Sequence, residues 1–265
     1  MRIALGIEYD GSAFCGWQTQ TGGCAAQDHL EAALVRIAGA GIETTCAGRT
    51  DSGVHALGQV VHFDTTVERP LTAWVRGANA FLPPALAVTW AHRVGAEFHA
   101  RYSARARCYR YLLLNRAVRP ATDQRRVGWF HAPLDLDRMR QAARHLIGEH
   151  DFSAFRSSEC QARSPVRNLA SLEIRRLGDY VVFEMAANAF LHHMVRNIVG
   201  SLVYVGSGRC APAWLVEVLA GRDRGAAAPT FAASGLYLVR VLYDPVWEIP
   251  DAARAILLPA AMIEA

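Results

Sequence analysis

The 265-residue chain contains no lysine: all 28 of its basic residues are arginine. Schiff-base chemistry and a P-loop both need a lysine amine, so both are excluded. No two of the six cysteines (Cys15, Cys24, Cys46, Cys108, Cys160 and Cys210) stand in a C-x-x-C pair, which argues against a zinc ribbon or a dithiol redox motif. The opening run Arg2-Ile3-Ala4-Leu5-Gly6-Ile7-Glu8-Tyr9-Asp10 is too short and too acidic for a secretory signal. No apolar stretch reaches the length of a membrane span. The cysteines are therefore expected as reduced, packed thiols and the protein as cytoplasmic. Also missing are G-x-G-x-x-G after a strand, G-x-S-x-G and H-E-x-x-H, so no nucleotide cofactor and no metal is expected.

What is present reads as an ordinary folded protein. Hydrophobic residues make up 52% and charged residues 20%, which is neither disordered nor membrane-like. The length allows one large domain or two small ones. A net charge of +4 does not by itself announce a nucleic-acid binder. The distribution says more. Nine arginines lie between Arg93 and Arg126, with Glu97 and Asp123 as the only acids. A basic face for a polyanionic partner and a merely solvated face fit that run equally well. Each arginine carries a planar fork suited to phosphate and to stacking on bases.

Alternation predicts strands at Ile3–Tyr9, 42–47, 59–64, 88–94, 108–114, 169–175, 180–186 and 236–243. Helical spacing predicts helices around Leu30–Ile37, ended by Gly39, and after Pro70, ended by Pro83-Pro84. Further helices are expected from an Asp135 or Asp137 cap to a stop at Gly148, from Phe190 to Val205, and from Trp214 to Ala220. The mixture argues for an α+β or mixed α/β class. The Arg-rich stretch near 100–107 is the best candidate hinge. Residues 246–265 carry Pro250 and Pro259 and are expected to form an irregular arm or short helix.

Chemistry has few places to sit. Gly48-Arg49-Thr50-Asp51-Ser52-Gly53 is a turn-forming run between two predicted strands. Taken alone, such a run is more often a turn in which Asp51 and Ser52 bond their own backbone. A carboxylate beside an arginine, however, stays ionised and oriented, and can attack a sugar anomeric carbon. His192 and His193 are adjacent on a predicted helix, so they point apart and cannot form an i, i+4 zinc pair. Arg196 sits at the edge of the apolar stripe; a mostly buried arginine calls for a carboxylate, and Asp51 is one candidate. Tyr109, flanked by Arg107 and Arg110, is either a core aromatic or a ring for stacking on a nucleobase. Two readings of these residues are a glycosidase or nucleosidase and a non-catalytic RNA-binding module. A retaining glycosidase needs a second carboxylate about 5 Å from the first, and no paired acid stands out near Asp51.

Five stretches resemble the tRNA pseudouridine synthase A family. They are Glu8-Tyr9-Asp10-Gly11-Ser12 with Gly16-Trp17-Gln18; Ala47-Gly48-Arg49-Thr50-Asp51-Ser52-Gly53-Val54-His55-Ala56; Phe98-His99-Ala100-Arg101 with Tyr109; His192-His193-Met194-Val195-Arg196-Asn197-Ile198-Val199-Gly200; and Ala233-Ser234-Gly235-Leu236-Tyr237-Leu238. The second is the most specific. Ala26 stands where the family pattern leads one to expect valine, and the tail beyond Pro245 carries no family signal.

The resemblance implies the pseudouridine synthase fold: α+β, two similar α/β halves sharing a mixed, mostly antiparallel sheet, with a central basic cleft. The halves are placed at 1–104, with the catalytic loop, and 105–245, followed by the tail 246–265. The resemblance implies a homodimer in which tRNA contacts both subunits, no cofactor and no metal. The implied substrate is the uridines at positions 38, 39 and 40 of the tRNA anticodon stem-loop. Asp51 resembles the catalytic carboxylate and Arg196 its partner. Tyr109 resembles the aromatic that stacks on the target base, and Arg49 the residue that helps extrude or replace the flipped nucleotide. Whether Asp51 first attacks C1′ or removes the 2′ proton to give a glycal stays open.

Overall fold

Side-chain periodicity translates into elements along most of the chain. This computed structural model describes residues 1–250, so the expectation for the tail falls almost wholly outside the described residues. In chain order the elements are β1 (Arg2–Tyr9), α1 (Ala26–Ala38), β2 (Thr45–Cys46), β3 (His55–Asp64), α2 (Ala78–Phe81), β4 (Leu86–Val94), β5 (Ala104–Asn115), β6 (Gly128–Phe130), α3 (Leu136–Arg144), β7 (Gly148–Asp151), β8 (Val166–Leu177), β9 (Tyr180–Ala187), α4 (Met194–Gly206), α5 (Trp214–Gly221) and β10 (Leu236–Tyr243). The class is α+β. Among the described residues no helix is long and apolar enough to cross a membrane.

The described chain forms two units, 1–107 with 237–250, and 108–236. In the first, the strand order is β4-β1-β3-β10. β1 runs antiparallel to β3 and to β4. The far edge of β3 is shared: β10 pairs parallel at His55 and Ala56, and β2 antiparallel at Val61 and His62. That parallel pairing is why residues from Tyr237 onward rejoin the first unit. α1 buries Ala26, Leu30, Ala33, Leu34 and Ala38 at three- and four-residue spacing, and full burial of a leucine there contributes about 1.5–3 kcal/mol. In the second unit, β5 neighbours β9, β9 pairs antiparallel with β8, and β8 with β7. β6 adds to β5 in parallel. Asp135 caps α3, its carboxylate accepting from the amides of Asp137 and Arg138. α4 buries Met194, Val195, Ile198, Val199 and Leu202, the stripe read from the sequence.

Several expectations change. The strand expected over 42–47 shrinks to Thr45–Cys46. α3 stops at Arg144, and Gly148 opens β7 instead of closing a helix. α4 begins at Met194 instead of Phe190, because His193 takes a left-handed conformation (φ 64°) that breaks the helix before it. Cys15 and Cys24 are joined as a disulfide while the other four cysteines remain thiols, against the expectation of six reduced thiols. The Cys15 amide donates to Cys24 O at 3.0 Å, which draws the two backbones together.

Candidate active site

The Asp51 loop, between β2 and β3, is pinned at nearly every residue around the carboxylate. Gln59, fully buried on β3, faces Gly48 with its amide: Nε2 donates to Gly48 O at 2.6 Å and Oε1 accepts from Gly48 N at 3.4 Å. Thr50 is buried, its hydroxyl 2.7 Å from Tyr9 Oη and its carbonyl accepting from Trp17 N at 3.0 Å. Val54 N closes the turn onto Asp51 O at 3.1 Å, and Gly53 N donates to Gly11 O at 3.2 Å. Gly53 takes φ 79°, which favours glycine. Gly11 approaches so closely that a Cβ there would lie 2.0 Å from Val54 O. Below the loop, His55 Nδ1 lies 3.1 Å from Gly11 N and 3.2 Å from Asp10 Oδ1, and its ring stacks on Tyr237 at 4.5 Å.

Asp51 is half-buried on this frame, and Arg49, two residues earlier, is exposed. A carboxylate on a backbone fixed before substrate arrives can act as nucleophile or base without first being ordered. Gln59 was not singled out from the sequence. Its signal is a polar residue directly before the apolar pair Val60-Val61, which in a strand means either exposure or a buried partner.

Tyr109 and Arg196 belong to the second unit. Tyr109, on β5, is buried and meets Phe190 edge-on at 5.0 Å. Arg196, in the first turn of α4, is half-buried; its Nε donates to Phe231 O at 2.8 Å while Phe231 N donates back to Arg196 O at 3.3 Å. A network anchored on the buried Asn197 holds the neighbouring Thr230. Asn197 donates to Phe155 O at 2.7 Å and accepts from Thr230 Oγ1 at 2.7 Å and from Arg224 Nη2 at 3.1 Å. Asn197, Thr230 and Arg224 were not foreseen, although Asn197 adjoins Arg196 in the sequence. The two histidines precede α4 instead of lying on it, and their rings stand 4.1 Å apart instead of pointing away from each other.

The arginine-rich stretch divides by partner. Arg105 pairs with Asp244, Arg110 with Glu184, and Arg116 reaches Asp179 at 4.0 Å. Arg107 is buried and donates to backbone carbonyls, including Ala47 O at 2.9 Å. Acids distant in sequence thus neutralise arginines that looked unopposed, while Arg101 stays exposed.

Comparison with known proteins shows the family. A family model described as tRNA pseudouridine synthase matches residues 6–103 and 142–244. The tRNA pseudouridine synthase A of Dechloromonas aromatica is 57% identical over 251 residues, covering 95% of this chain and 96% of that protein. Its counterpart in Thiobacillus denitrificans is 57% identical over 254 residues, covering 96% and 98%. That of Herminiimonas arsenicoxydans is 56% identical over 254 residues, covering 94% and 92%. With a family model matching most of the chain and relatives more than half identical along nearly all of it, the chain belongs to the tRNA pseudouridine synthase A family, and with it to the isomerases.

Proposed function

We propose that this enzyme converts the uridines at positions 38, 39 and 40 of the tRNA anticodon stem-loop to pseudouridine, with Asp51 as its catalytic carboxylate. The observation that carries the reading is the setting of Asp51: a half-buried carboxylate on a loop held by Gln59, Tyr9, Trp17 and Gly11, with an exposed arginine two residues away.

The reaction is an isomerisation and balances without a redox partner. The C1′–N1 bond breaks, a C1′–C5 bond forms, a proton leaves C5 and N1 gains one. The target nucleotide first leaves its stack, at a cost of about a few kcal/mol; in our reading Arg49 helps extrude it or fills its place. Asp51 then attacks C1′ or removes the 2′ proton, and the freed uracil turns and rejoins through C5. Tyr109 is assigned to stack on the base and to help the late proton transfer, and Arg196 to pair with the Asp51 carboxylate. Asn197 supports that role by holding Thr230, the neighbour of Phe231, whose carbonyl accepts from Arg196 Nε. The acting form is a cytoplasmic homodimer that needs no cofactor.

Pseudouridine mapping at nucleotide resolution on tRNA transcripts incubated with the wild-type enzyme tests this. Product confined to positions 38–40 is expected. Product elsewhere overturns the positional assignment, and abasic sites would make the enzyme a hydrolase.

A further inference from the structure

The turn His99–Ser103 of the first unit holds an aromatic ring out in water. Tyr102 is 75% exposed, although a buried aromatic side chain removes about 150–250 Å² from solvent. The backbone beneath it is held firmly. His99 Nδ1 accepts from the amides of Arg101 at 3.2 Å and Tyr102 at 3.3 Å, Ser103 Oγ accepts from His99 N at 2.9 Å, and Ser103 N donates to His99 O at 2.9 Å. The exposure therefore belongs to an ordered turn. The Tyr102 ring has the His99 ring 4.3 Å away, and the Arg101 guanidinium lies 5.5 Å from its centroid.

This turn is also coupled to the catalytic loop. The buried Arg107 donates through Nη2 to both Arg101 O and Ala47 O, and Ala47 directly precedes Gly48 and Arg49. Among the described residues Arg101 is held by no acid. An exposed ring with a planar cation beside it combines the two contacts a nucleotide offers: a π-face for stacking, and phosphate for the guanidinium fork.

We propose that Tyr102 and Arg101 form a docking platform for a tRNA nucleotide other than the reacting uridine. An unstacked base lies on the Tyr102 ring, and an adjoining phosphate is held by Arg101. The proposal rests on the reading of this enzyme as a tRNA pseudouridine synthase. Stacking of this kind is indifferent to base identity, which suits an enzyme that meets neighbouring uridines in different sequence contexts.

The test measures tRNA affinity by fluorescence anisotropy for the full-length wild type, Tyr102→Phe, Tyr102→Ala and Arg101→Ala. Thermal melting and solution mass are recorded for each. Tyr102→Ala is expected to bind about tenfold more weakly, the loss of one base–aromatic stack, with an unchanged melting temperature. Tyr102→Phe keeps the ring and restores the affinity. Arg101→Ala lowers the slope of log affinity against log salt by about one, for one phosphate contact. Wild-type affinity in Tyr102→Ala overturns the platform. So does a change of solution mass in that variant, which would assign the ring to a contact between two copies of the chain. Pseudouridine formation by the wild type separates the two levels. Product without an affinity loss in Tyr102→Ala sinks the platform alone; no product on any tRNA sinks the functional reading and the platform with it.

Discussion

Replacing Gln59 with leucine asks whether the clamp on Gly48 positions Asp51. The side chain is fully buried, and leucine is close to it in size, so the change opens little cavity and removes chiefly hydrogen bonds. The 2.6 Å bond to Gly48 O is the strong one, whereas the 3.4 Å contact from Gly48 N is long and contributes little. Losing the first costs about 1 kcal/mol net, and the Gly48 carbonyl left without its donor adds about 1 kcal/mol more. Gly48 is only half-buried, so water relieves part of that penalty. The sum is about 2 kcal/mol out of a total near 5–15 kcal/mol. Urea unfolding should show it as a lower midpoint at unchanged slope. Gly48 lies three residues from Asp51, and a displacement of about 1 Å at a reacting group costs on the order of 100-fold in rate. Single-turnover formation of pseudouridine should therefore fall at least about tenfold, while tRNA affinity, set mainly by phosphate contacts, stays within about twofold. A variant destabilised as calculated but turning over at the wild-type rate would refute the positioning argument. Wild-type stability would refute the assigned energetics of the hydrogen bond.

Thiol titration of the denatured, unreduced protein should find four reactive cysteines, since Cys15 and Cys24 are joined; six would contradict the disulfide. His62 is held neutral by burial, and secondarily by the positive charge of Arg2 and the neighbouring His99, so its pKa falls to about 4. Above pH 6.5 its ring is neutral in the folded and unfolded chain alike. As pH falls from 6.5 toward 4 the unfolded chain binds a proton that the folded chain refuses, and stability drops. His62→Gln should flatten that part of the stability profile, and an unchanged slope would rule His62 out as its source. Arg196→Lys keeps the charge but loses the planar Nε donor to Phe231 O; turnover should fall at least about tenfold, as for a misplaced charged group, and wild-type kinetics would show that charge alone suffices.

How much of this could be read in advance depends on the range of the interaction that decides each element. β1, β4, β8, β9 and β10 announce themselves by alternation, and α1 by its Leu30–Leu34 spacing, because a two- or three-and-a-half-residue period is a local signal. β6 has only three residues and exists by pairing with β5, fifteen positions earlier, so no local pattern encodes it. At 190–193 the apolar spacing continues smoothly into α4, and a single left-handed residue, His193, overrides it. Asp51 and Arg49 were singled out through the family resemblance, because a carboxylate and an arginine in a turn between strands are by themselves more often only a turn. Gln59 and Asn197 were not, because a buried amide looks like any polar residue until its backbone partners, eleven and forty-two positions away, are in place. The partners of the arginine run were hidden in the same way: Asp244 and Glu184 neutralise two of its members from far along the chain.

The central claim is that Asp51 carries the chemistry. It is tested most directly by mapping pseudouridine on tRNA after incubation with the wild type and with Asp51→Asn, with the affinity of each for the same tRNA measured alongside. The account predicts no pseudouridine from Asp51→Asn, with affinity within about threefold of wild type because phosphate contacts dominate binding. Pseudouridine formed by Asp51→Asn at near the wild-type rate would contradict it.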